Sequence, residues 1–283
     1  MDDPRKTPPS EIPPNVLFVK SDSICNICGK ERTLSKEHTP PEGCLRRDNL
    51  ALEVRPRLRP SAHPRFSQSG IRHVSTCVPC NNGMGRDGDD GLKIFCENVA
   101  KFWRTSGQRS RRPRRGESEP TVLCNTRKVL RSVYGHALAA NEYTPRGQFY
   151  DKMRDFVLGR FRMPEDLSSL PSVYYFIHQD NCVYIDQSTL YHIGGKMTPL
   201  IAMKWYPVAF IVSPRRNLAT WDEGFHLPCL NDLLTSGDIE NPVPIFARPA
   251  FWYECLTEGQ GVQMTSSYSK TSVDGRPRRP IRE

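Results

Sequence analysis

Cys25-Asn26-Ile27-Cys28 and Cys77-Val78-Pro79-Cys80 bracket the tetrapeptide Lys36-Glu37-His38-Thr39, and the second pair runs on into Asn81-Asn82-Gly83-Met84-Gly85-Arg86-Asp87. Four thiols arranged as two CxxC pairs are the ligand set of a tetrahedral structural zinc, because each pair places two sulfurs on one tight turn and two turns complete the coordination. Gly29, just after the first pair, relaxes the backbone so that amides can point toward sulfur. Whatever lies between the pairs is then held in a fixed loop. A structural Zn2+ on Cys25, Cys28, Cys77 and Cys80 is the first expectation.

The flanks read as a small α+β unit. Thr33 to His38 is a predicted strand stopped by Pro40-Pro41, and Ile71 to Thr76 a second one that feeds the second CxxC pair. Asn81 to Gly85 reads as a turn. Asp87, Asp89 and Asp90 then supply the acidic first turn of a helix whose apolar residues, Leu92, Phe95, Val99, Phe102 and Trp103, recur every three to four positions. The order is strand, loop, strand, helix. The loop, residues 45 to 70, holds Arg46 and Arg47 among further arginines and prolines, a composition that suits phosphate contacts more than regular structure.

The stretches CNICGKERTLSKEHTPPEG (25–43) and STCVPCNNGMGRDGDD (75–90) together resemble the zinc-stapled branch of the HNH endonucleases, which have the ββα-metal fold. The resemblance spans about the first 100 residues. CxxC, EHxxP, CxxCNN and an acidic cluster occur in the family's order. It implies that Glu37 and Asn81 hold a catalytic divalent ion, Mg2+ or Mn2+, while His38 activates water. For the family's middle residue Asn49 and His73 compete, with His73 favoured, and Asp87 is a supporting candidate. Met84 stands where many members carry Lys, leaving Arg86 to substitute.

The chemistry is coherent without the family name. Hydrolysis of a phosphodiester needs a deprotonated water and a cation against the charge that builds on phosphate. Histidine titrates near neutrality and can take the proton. Carboxylate and amide oxygens suit a hard divalent ion. The competing expectation is a zinc-stapled nucleic-acid-binding protein that does not cut.

Charge supports a polyanionic partner, with double-stranded DNA the first expectation. The 283-residue chain carries a formal net charge of +9, and residues 1–120 hold 22 Lys and Arg against 15 Asp and Glu, whereas the remainder holds 18 against 16. Arg104 to Arg115, including Arg111, Arg112, Arg114 and Arg115, reads as a basic backbone-tracking arm. The polar, proline-rich start shows no apolar signal core, so the ten cysteines point to a reducing, cytoplasmic setting and to free thiols outside the CxxC pairs. No membrane partner is expected, since the most apolar stretch, Leu200 to Val212, is short and carries Lys204.

The expected organisation is a lead-in (1–20), a zinc-stapled nuclease module (21–104), a basic linker (105–120), an α+β accessory domain for target selection (121–273) and a basic tail (274–283). In the accessory domain, helices are predicted over Thr126–Ala140 and Phe149–Phe161. Strands are predicted over Val173–His178, Cys182–Asp186, Leu200–Lys204, Val208–Val212 and Ile245–Cys255, with a hairpin at Asp180-Asn181. His136, His178, His192 and His226 show no ligand spacing and read as packed or surface residues.

Overall fold

The computed structural model describes residues 16–44, 52–55, 65–67, 71–105, 120–160, 169–177, 184–193, 196–214, 228–234, 239–245 and 270–271. Along the chain come β1 (Val16–Val19), β2 (Leu34–Thr39), β3 (Leu52–Arg55), β4 (Arg65–Ser67) and β5 (Ile71–Cys77), then α1 (Val78–Met84) and α2 (Asp90–Thr105). After these follow β6 (Thr121–Cys124), α3 (Thr126–Ala139), α4 (Gln148–Val157), β7 (Ser172–Ile177), β8 (Tyr184–Ile193), β9 (Lys196–Trp205), β10 (Val208–Ser213), β11 (Asn241–Pro244) and β12 (Lys270–Thr271). The fold is mixed, of helices and small, mostly antiparallel sheets. Arg46, Arg47, Asn49, Arg111, Arg112, Arg114, Arg115, the Asp180-Asn181 pair, His178, His226, most of the Ile245–Cys255 stretch, residues 1–15 and the tail lie outside the described residues.

In the first sheet β5 is central, antiparallel to β2 and parallel to β1. Its chain runs directly into the helix. The expected turn at Asn81–Gly85 and the acidic helix start at Asp87–Asp90 are corrected here: the helix begins at Val78 and continues through a π turn, Gly85–Asp89, into α2. Two causes are visible. A proline in the first turn lacks only an N–H that the helix start leaves unpaired anyway. The Asn81 amide, which would otherwise compete for local backbone, donates across to β2, to Ser35 Oγ at 3.1 Å and the Lys36 carbonyl at 2.8 Å.

The second half departs from the expected hairpin. β7 pairs with β10, and the sheet order is β7-β10-β9-β8, so the strand after β7 in sequence lies at the far edge. Both β7, at one edge, and β10, inside the sheet, are buried along their whole length. The second helix ends at Val157, short of the predicted Phe161.

α3 is the central helix, with buried residues on nearly every side, including Ser132 and His136 among Val129, Leu130, Val133 and Leu138. Buried residues from both halves of the chain, such as Leu92, Phe95, Val129, Tyr175 and Phe210, form one hydrophobic cluster. The first CxxC turn is tied into it by polar groups. Asn26, fully buried inside the first CxxC, donates to the Leu138 and Asn141 carbonyls at 3.1 and 2.7 Å, so it satisfies the C-terminal end of α3. Ser75 Oγ on β5 donates to the Ala139 carbonyl beside it. These bonds fix the roll of α3 against the first sheet.

Candidate metal and carboxylate-histidine sites

Cys25, Cys28, Cys77 and Cys80 converge, with all four sulfurs within 4.8 Å of one another. The Cys28 and Cys77 sulfurs are 3.8 Å apart, the edge of a tetrahedron built on Zn–S bonds of about 2.3 Å. Gly29 takes φ +67°, the left-handed conformation a knuckle needs after its second cysteine. A hydrogen bond from the Cys80 thiol brings Cys25 down to about 4 against the effect of burial, with backbone amides of Cys28, Cys77 and Ile27 adding to it. A thiolate is the form that binds metal. The donor set fits a structural zinc, joining the start of the chain's first sheet to the start of its first helix. Cys44, Cys96 and Cys124 are buried free thiols, as expected.

A second group gathers at the other end of β2. Residues of a strand alternate between faces, and here Glu37 and Thr39 point inward while half-buried His38 is turned to the other side. His136 of α3 lies against that inner face: its Nδ1 is 3.7 Å from Glu37 Oε1 and 3.3 Å from Thr39 Oγ1. Its Nε2 is 3.0 Å from Asp89 Oδ1, and Ser132 Oγ donates to the same oxygen at 2.6 Å. Glu37, Asp89 and His136 form a cluster whose ligand atoms lie within 4.8 Å of one another. His73 pairs with Glu37 across the β2–β5 ladder and is fully buried.

Burial governs the charges. It pushes the Glu37 carboxyl up to about 7; His136 and the His38 backbone amide pull it down, and the charge of Asp89 adds to the rise. It pushes His73 down to about 3, helped by His136 and His38. For His136 burial also works against the charged ring, but the Asp89 charge and hydrogen bond, then Glu37, outweigh it and raise the pKa. Burial opposes the Asp89 carboxylate as well, and there His136 and Ser132 prevail and hold its pKa low. Glu37 is only 3% exposed, and among the described residues its Oε2 has no hydrogen-bond partner.

The remaining expected site residues are placed as follows. Asn81 gives its amide nitrogen to β2, one residue from Glu37. Asp87 is taken up by Arg86, whose guanidinium donates at 2.9 and 3.1 Å and whose side chain is 79% exposed. It is Asp89, not Asp87, that turns inward, because the π turn shifts the helical phase at that point. His136 and Asp89 are the two members that the sequence reading did not assign. A signal existed: Ser132 and His136, four apart, are polar residues on a helix stripe otherwise made of Val129 and Val133.

No helix among the described residues is long and apolar enough to cross a membrane. Comparison with protein-family models, curated proteins and solved structures found no match.

Proposed function

We propose that the chain is a metal-dependent endonuclease that hydrolyses phosphodiester bonds in nucleic acid, double-stranded DNA first, with His38 as general base. The observation that carries this reading is Glu37: a buried carboxylate with an oxygen that, among the described residues, lacks a hydrogen-bond partner, one residue from a half-buried histidine on the strand whose other end meets the cysteine cluster. An Mg2+ or Mn2+ ion on Glu37 would neutralise charge developing on the phosphate. His38, on the half-buried face of β2, would take the proton of the attacking water. Asn81 supports the arrangement by holding the Lys36 carbonyl, which fixes the backbone that carries Glu37. Arg86, exposed at the helix surface, offers a cation to the substrate backbone.

The burial of Glu37, and of His136 at 0% exposed, favours the second reading, a zinc-stapled nucleic-acid binder without cleavage. One variant separates them. His38→Ala should abolish nicking of supercoiled DNA in Mg2+ or Mn2+ while leaving DNA binding intact. Undiminished cleavage by that variant removes His38 as the base, and a wild type that binds but never cuts leaves the second reading in place.

A further inference from the structure

We propose that Glu37 and His136 bind a divalent transition-metal ion, with Asp89 holding the histidine ring, at a site distinct from the four cysteines and completed only when α3 packs against the first sheet. It shares Glu37 with the nuclease reading but stands or falls on metal binding alone.

Four observations carry it. First, His136 Nδ1 and Glu37 Oε1 are 3.7 Å apart, too long for a hydrogen bond, and the contact Nδ1 does make, with the Thr39 hydroxyl at 3.3 Å, is one a bound ion would displace. Two ligands on one ion with bonds of about 2.0–2.2 Å stand roughly 3–4 Å apart. Second, the other ring nitrogen is taken: Nε2 lies 3.0 Å from Asp89 Oδ1, which Ser132 Oγ holds in place. A carboxylate on the far nitrogen is how proteins orient a ligating imidazole and fix its tautomer. Third, Glu37 Oε2 is buried and, among the described residues, accepts no hydrogen bond, a state that costs free energy unless a cation or a donor meets it. Fourth, the oxygen and nitrogen atoms that Glu37, Asp89 and His136 present all lie within 4.8 Å of one another, drawn together from three separate elements. One imidazole nitrogen with carboxylate oxygens selects Mn2+, Co2+ or Zn2+ over Ca2+. The π turn that delivers Asp89 is a feature that recurs at functional sites.

The test uses the full chain with zinc on its cysteines, titrated with Mn2+ and followed by electron paramagnetic resonance. Wild type should bind one Mn2+ beyond the cysteine zinc, with pulsed spectra showing coupling to an imidazole nitrogen. Glu37→Gln should weaken binding by more than about 100-fold, and Asp89→Asn by about 10- to 100-fold, the range for a partner that acts through a ligand. His136→Ala should abolish the nitrogen coupling. If His136→Ala does not fold, Glu37→Gln carries the test, with zinc content and near-ultraviolet circular dichroism confirming its fold. Folded wild type that takes up no second ion, or Glu37→Gln that binds as tightly as wild type, overturns the site. Wild type that binds Mn2+ through a histidine but cuts no nucleic acid supports the site and removes the nuclease reading.

Discussion

The two polar clusters on the β2–β5 pair are built in different ways. The four cysteines need only one tight turn at Cys25–Cys28, the first turn of α1 after Cys77, and one antiparallel strand pair to bring the two together. Glu37, Asp89 and His136 come from a strand, a π turn and the helix α3, far apart in sequence. Their meeting depends on how α3 is seated. A cluster made by local turns is specified by spacing alone, whereas one made by packing is specified by everything that lets the elements approach.

The contrast is broken most severely at the cysteine end. Cys80→Ser removes one of four ligands, and the binding free energy of a structural zinc, on the order of 10 kcal/mol or more, is also folding free energy. The variant should purify without zinc and lose the cooperative unfolding of the first sheet, read by metal analysis and circular dichroism. Because Asn26 and Ser75 tie the knuckle and β5 to the end of α3, the loss should reach the carboxylate-histidine cluster as well. A zinc-free variant with an unchanged melting curve would show that the cysteines hold nothing together.

What was legible in the sequence follows the same division. The CxxC pairs, both strands around Glu37 and the apolar face from Leu92 to Trp103 rest on spacing and periodicity, and the structure has them. The helix start was misread because Asn and Gly are turn residues in isolation, and only the distant β2 acceptors explain why Asn81 spends its amide elsewhere. The expected β7–β8 hairpin failed because adjacency in sequence does not fix adjacency in a sheet. His136 was set aside for lack of a nearby ligand. Its partners lie 47 and 99 residues away, at Asp89 and Glu37, a distance that no local spacing rule spans.

A smaller perturbation tests the packing side. α2 and α3 cross closely enough that a methyl on Gly91 would overlap Lys128 Cβ, and one on Gly88 would stand 3.0 Å from the Ser132 backbone nitrogen. In an open helix Gly→Ala gains about 1 kcal/mol. Here overpacking of about 1–3 kcal/mol should reverse the sign. Gly91→Ala is therefore expected to lower the melting temperature while leaving zinc content unchanged. Its effect would fall on the Ser132–Asp89–His136 contacts and spare the cysteines. An increase in stability would mean that the helices have room to part.

The finest distinction is in the pH dependence of stability, measured by denaturant unfolding with zinc bound and no second metal added. Glu37, raised by burial to about 7, keeps in the folded state a proton that the unfolded chain gives up near its ordinary value of 4.5. Its contribution is complete below 4.5 and is lost as the pH rises through 7. His73, lowered to about 3, stays neutral in the fold while the unfolded chain takes up a proton below 6.5. Its contribution is complete above 6.5 and is lost as the pH falls toward 3. Between about 4.5 and 6.5 the two oppose each other, each with a slope of at most about 1.4 kcal/mol per pH unit. Removing one should expose the other: His73→Gln should become less stable as the pH rises across that window, and Glu37→Gln should become more stable. The cysteine cluster cannot produce this pair of opposite slopes, since both variants leave it intact. Parallel profiles for wild type and both variants would mean that neither residue is held in the charge state its burial imposes.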